Sequence, residues 1–143
     1  MKFYLASGFF NDKQLRDVEN IKEVADEVGL DYFSPKDANL CNPMANKENR
    51  KKVFDANIEE IKKADFLVVN TRDKDLGTLF EAGYAHAVGL PIIYYCEGLT
   101  GGFNLMLSET ASCVATSLVS LKLYLENMSK DVKYKHEYVG LIE

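Results

Sequence analysis

Two rhythms alternate along this chain. Short apolar runs at residues 2–6, 31–34, 65–70, 91–96 and 113–116 have the length and β-branched or aromatic content of strands. Between them lie longer polar stretches with apolar residues at helical spacing. The first, 12–28, puts Leu15, Val18, Ile21, Ala25 and Val28 on one face and stops at Gly29. The second, 47–63, turns Val53, Phe54, Ile58 and Ile61 inward, and further helices are predicted at 78–88 and 117–128. Pro35 closes the second strand, and residues 35–46, rich in Asn and Pro, form the longest irregular segment and suit either a binding loop or a plain surface loop. A Gly-rich turn at 98–102 leads into Asn104-Leu105-Met106, and the tail after Ser129 has no helical period.

Strands alternating with helices predict an α/β domain: a flavodoxin-like, doubly wound, five-stranded and mainly parallel sheet of order 2-1-3-4-5, flanked by helices. Its 143 residues make one domain, 1–143. Such sheets bind ligands at the carboxyl ends of their strands, where the order reverses. That places the chemistry in the loops after Ala6, Asn70 and Cys96.

Composition narrows the partners. A net charge of -5 argues against a nucleic-acid polymer or an acidic membrane surface, and the run Asn49-Arg50-Lys51-Lys52 reads as a solvated helix face. The apolar run at 3–6 is too short for a signal peptide or a membrane span. Cys41, Cys96 and Cys113 are odd in number and lack paired spacing, so neither a disulfide framework nor a zinc site is indicated, and a reducing cytoplasm is the expected location. No metal or organic cofactor is expected.

Glycine motifs for a dinucleotide or a triphosphate are absent from the sequence. The first turn instead reads Ser7-Gly8-Phe9-Phe10, whose rings can stack on a planar ligand or simply pack. His86 falls within a helix, on its surface, and His136 in the tail, so no Ser-His-Asp arrangement forms. The informative window runs from Asp73 to Ala85, where a buried strand passes into a helix. Asp75 is expected in the loop and Glu81 in the first helical turn, where free backbone N–H groups favour a carboxylate anion. A structural reading competes: Thr78-Leu79-Phe80-Glu81 fits a capping box, with Thr78 as the cap. Gly83 and Ala87 read as small residues that let this helix lie close on the sheet. Paired carboxylates in a crevice suit transfer at an anomeric carbon, one attacking and the other managing the leaving group's proton. Asn57 and Asn104 offer amides for hydroxyls or base edges.

Three segments, Phe3 to Phe10, Asp75 to Ala85 and Phe103 to Met106, resemble the nucleoside 2-deoxyribosyltransferase family in their order and spacing, and the resemblance extends over nearly the whole chain. It implies an enzyme that takes 2'-deoxynucleosides and free nucleobases and transfers the sugar by retaining double displacement. Glu81 matches the nucleophile, Asp75 the carboxylate near the departing base and the 5'-hydroxyl, and Tyr4 the tyrosine that positions the nucleophile. Phe10 matches an aromatic beside the base, and Gly8 belongs to the same substrate-facing turn. Asn104 and Met106 match residues lent by a neighbouring subunit, which implies a homo-oligomer, dimer to hexamer, with shared sites. Two positions depart from the pattern. The chain ends in Glu143 where the family has an aromatic, and Asn57 stands where some members carry Asp, so that position can hydrogen-bond but not titrate. Two alternatives stand beside this reading: an N-glycosidic hydrolase of deoxynucleosides or their 5'-monophosphates, and a non-catalytic nucleotide-binding module.

Overall fold

The computed structural model describes residues 1–38 and 46–143. Five strands, β1 (Lys2–Ala6), β2 (Asp31–Phe33), β3 (Phe66–Asn70), β4 (Ile92–Tyr95) and β5 (Cys113–Ala115), form one sheet of order β2-β1-β3-β4-β5. Each neighbouring pair is parallel, so the flavodoxin-like arrangement expected from the sequence is present with a wholly parallel sheet. Strand order reverses between β1 and β3, and the crevice opens at their carboxyl ends, Ala6 and Asn70. The helices are α1 (Asp12–Val28), α2 (Lys47–Lys63), α3 (Leu76–Ala87), α4 (Leu105–Thr110) and α5 (Leu118–Lys130).

Strand side chains alternate between two apolar layers. Phe3, Leu5, Phe66 and Val68 pack with Val18 and Ile21 of α1 and Leu121 and Leu125 of α5. Tyr4, Ala6, Leu67 and Val69 face the other way, onto Ile61 of α2 and Ala82 and Ala85 of α3. Tyr4 is therefore delivered to the α2–α3 side by the period of β1 alone. Helix α1 begins at Asn11, whose side chain accepts the Gln14 N–H, and ends at Gly29, whose φ of 80° lets its N–H turn back to Ala25 O and Asp26 O.

Several expectations need correction. Of the four residues of α2 assigned inward, only Ile61 is buried, and Phe54 is 52% exposed. Gly83 and Ala87 do not face the sheet: both are exposed, and a Cβ at Gly83 would meet nothing within 4 Å. The close approach is made by Thr78, Ala82 and Ala85, spaced as one helical face. A short helix, α4, follows the Gly-rich turn. The tail docks as extended chain: Phe103 bridges Ile142 in parallel, and His136 N–H donates to Ser112 O at 2.8 Å. Most of the irregular segment predicted at 35–46, and Cys41 with it, lies outside the described residues. No described helix is long and apolar enough to cross a membrane.

Candidate active site

Helix α3 starts at the carboxyl end of β3, and its cap decides where the two acids point. The cap is Asp75: its Oδ2 accepts the Thr78 N–H at 2.9 Å and the Thr78 hydroxyl at 2.8 Å. This overturns the capping box read on Thr78 and Glu81. The helix begins at Leu76, two residues earlier than predicted, and Thr78 spends its hydroxyl on Asp75. Glu81 consequently sits in the second turn, beyond the free N–H groups that were expected to hold it anionic. Asp75 itself has Oδ1 left for other work.

Burial raises the Glu81 carboxyl to about 7; the Tyr4 hydroxyl draws it down, and the Asp75 charge pushes it up. Tyr4 is wholly buried, and burial first, then Glu81, drives its phenol well above the ordinary value. The two groups are close enough to perturb one another, yet neither the Tyr4 hydroxyl nor Glu81 Oε2 has a partner in strict hydrogen-bond geometry among the described residues. Such orphaned buried atoms are rare in proteins and mark places kept for something else.

Between α2 and α3 a cleft of about 330 Å³ is lined by Phe54, Asn57, Ile58, Gly77, Phe80 and Glu81. The Phe54 and Phe80 rings lie 6.1 Å apart, and both are more than half exposed, so they wall the cleft without filling it. Asn57 contributes a buried amide oxygen that also has no partner among the described residues. The structure thus brings Tyr4, Asn57, Asp75 and Glu81 together.

Other candidates lie elsewhere in the chain. Gly8 is buried under the Gln14 amide, which a Cβ there would meet at 2.6 Å, so close packing by Gln14 explains this glycine. Phe10 is 75% exposed, and its ring lies tilted against Phe9 with centroids 4.9 Å apart. Asn104 caps α4, its Oδ1 accepting the Leu107 N–H at 3.2 Å, and Met106 is 72% exposed. Glu143 is tied in by backbone bonds, its N–H to Phe103 O and its carbonyl from Leu105 N–H. Neither Asn104, Met106 nor Glu143 lines the Glu81 cleft; Asn104 and Glu143 border a separate cavity of about 620 Å³ that includes Thr71, Cys96 and Leu79. Burial pushes the Cys96 thiol there up to about 11, far from a thiolate nucleophile. Among the described residues no His, Cys, Asp and Glu side chains cluster as metal ligands.

One group escaped the sequence reading. Asp17 of α1 is buried and takes a bidentate contact from Arg72, through Nε to Oδ2 and Nη2 to Oδ1, the latter at 3.0 Å. Asn70 Nδ2 donates to Asp17 Oδ2 at 3.2 Å and to Ser7 Oγ at 3.1 Å. Asn11 Nδ2 donates to Asp73 Oδ2 at 2.8 Å. The only signal available was position: Asp17 lies one residue before Val18 on the buried face of α1, where an unpaired acid would be costly.

A doubly wound sheet with a buried carboxylate against a tyrosine, at the crevice end of an aromatic-walled cleft, defines a class of small-molecule enzyme domain acting at strand ends. The family model for nucleoside 2-deoxyribosyltransferase matches residues 3–110, and the chain belongs to that family. A 2-deoxyribosyltransferase from the psychrotolerant bacterium Bacillus psychrosaccharolyticus superposes with a TM-score of 0.83 at 27% identity, covering 97% of this chain and 100% of that one. A conserved protein from Enterococcus faecalis shares the fold at TM-score 0.75 and 18% identity, over 89% of this chain and 98% of that one. So does a CMP N-glycosidase from Clostridium botulinum, at 0.60 and 16%, over 90% and 99%. A comparison with curated proteins finds no match.

Proposed function

We propose that the protein transfers 2-deoxyribose from a 2'-deoxynucleoside to another nucleobase by double displacement on Glu81. The observation that carries this reading is the buried, unpartnered Glu81 oxygen facing the Tyr4 hydroxyl at the cleft between α2 and α3. In the first half-reaction a Glu81 oxygen bonds to C1', and the C1'–N bond breaks with its electron pair going to the base. The base takes its proton from water or through Asp75, whose Oδ1 is not used by the helix cap. A ring nitrogen of an incoming base then bonds to C1' and gives its proton to water or to Asp75, the C1'–O ester bond breaks with its electron pair going to Glu81 as carboxylate, and configuration at C1' is retained. Desolvation makes Glu81 a stronger nucleophile once ionised, and Tyr4 steers it without sharing its charge. Asn57 offers its amide oxygen to an N–H on the base, while Phe54 and Phe80 border it.

Asn104, Met106 and Glu143 would complete the cleft of a second copy, which makes a homo-oligomer with shared sites part of the proposal. The test is exchange of cytosine into deoxyadenosine, with free deoxyribose measured in parallel. Exchange that vanishes in Glu81→Ala, with folding unchanged, supports the assignment. Release of free sugar without exchange would make the protein a hydrolase, and normal exchange in Glu81→Ala would remove Glu81 from the mechanism.

A further inference from the structure

Between Asn70 and the Asp75 cap the chain passes through two consecutive non-glycine residues in the left-handed region, Asp73 at φ 62° and Lys74 at φ 52°. Side chains with a Cβ rarely adopt that conformation, and two in a row persist only where surrounding contacts over-determine them. Here those contacts come from α1, β1 and β4. Arg72 grips buried Asp17 of α1 with two N–H groups, and Asn11, the cap of α1, holds the Asp73 carboxylate. Asn70 ties Ser7 to the same Asp17, and its Oδ1 accepts the Arg72 N–H at 3.2 Å. Thr71 N–H donates to Tyr95 O at 3.1 Å, which anchors the segment's start to β4.

These bonds stitch the loop after β1 to the loop after β3. The segment they brace ends on Asp75, and Asp75 fixes the start of the helix that carries Glu81. We propose that Asp17, Arg72, Asn11 and Asp73 form a brace that holds the strained 71–74 segment and thereby sets the placement of Asp75 and Glu81 for the transfer reaction. All four are positioning residues: none lines the Glu81 cleft. The inference rests on the deoxyribosyl-transfer reading above.

A merely structural role and a positioning role separate at Asp73. Glycine adopts positive φ freely, so Asp73→Gly relieves strain while deleting the bond to Asn11. The two effects oppose, and the melting temperature should stay near that of the wild type. The chain between Arg72 and Asp75 loses its restraint, so kcat for base exchange should fall roughly 10- to 100-fold, as it does when reacting groups are misplaced by an ångström or less. Asp73→Asn keeps both a left-handed preference and an acceptor oxygen and should restore the rate. Arg72→Lys keeps the charge but loses the two-pronged contact, and should lower kcat more than it raises KM for the deoxynucleoside. An Asp73→Gly protein with wild-type kcat overturns the brace while leaving the proposed function intact. So does a rate that falls only in step with loss of folded protein. A wild-type protein that neither exchanges bases nor releases sugar overturns the proposed function and the brace together.

Discussion

Glu81 must shed a proton before it can attack, and its surroundings resist that. With the carboxyl raised to about 7, the exchange rate should climb with pH through neutrality rather than through the ordinary carboxylate range. The neighbours should move that limb in opposite directions. Tyr4→Phe removes the hydroxyl that favours the anion, so the limb shifts to higher pH; Asp75→Asn removes a repelling charge, so it shifts to lower pH. A pH–rate profile of kcat/KM for the three proteins checks both signs. Stability follows the same linkage. Because the folded-state value lies above the ordinary 4.5, ionised Glu81 opposes folding; the cost is absent below 4.5 and complete above about 7. Glu81→Gln should therefore gain on the order of 3 kcal/mol at pH 8, little at pH 4, and lose exchange at both. Thermal melts at the two pH values measure the difference.

Helix α3 shows where local signals mislead. Asp75 caps it, so Asp75→Ser should keep stability within roughly 1 kcal/mol while Asp75→Ala loses about that much. Exchange should fall in both, since neither keeps the carboxylate. Urea melts with parallel rate measurements would show it. The strands and the four long helices were legible in length and order, although in α2 the apolar period assigns inward four residues of which only Ile61 is buried. The α3 boundary was not, since Asp75 and Thr78 are both good caps and only the bonds made by Thr78 decide between them. Gly83 was misassigned because smallness does not say which way a helix faces. Short α4 was read only as the segment after the Gly-rich turn, and the docked tail pairs through backbone atoms, which leave no trace in side-chain pattern. Of the site, the segments that carry Tyr4, Asp75 and Glu81 were legible. The Asp17–Arg72 contact was not, because a helical period counts apolar residues, while α1 buries Gln14, Asp17 and Lys22 on the same face.

Over the whole molecule, large apolar side chains remain on the surface of α3 and α4: Leu76 at 83% exposure, Phe80 at 55% and Met106 at 72%. They are apolar groups on hand for the homo-oligomer contact proposed above. The protein should sediment as an oligomer, and Leu76→Glu should shift it toward monomer and lower exchange in proportion, read by analytical ultracentrifugation beside the assay. Finally, the fold keeps the Tyr4 hydroxyl, Asn57 Oδ1 and Glu81 Oε2 buried without partners among the described residues. A compound that supplies those partners binds the native state alone, so it raises the melting temperature in step with the logarithm of its concentration. Nucleosides and bases can then be ranked by melting shift in Glu81→Gln, with no turnover, and deoxynucleosides should shift it more than the corresponding free sugars.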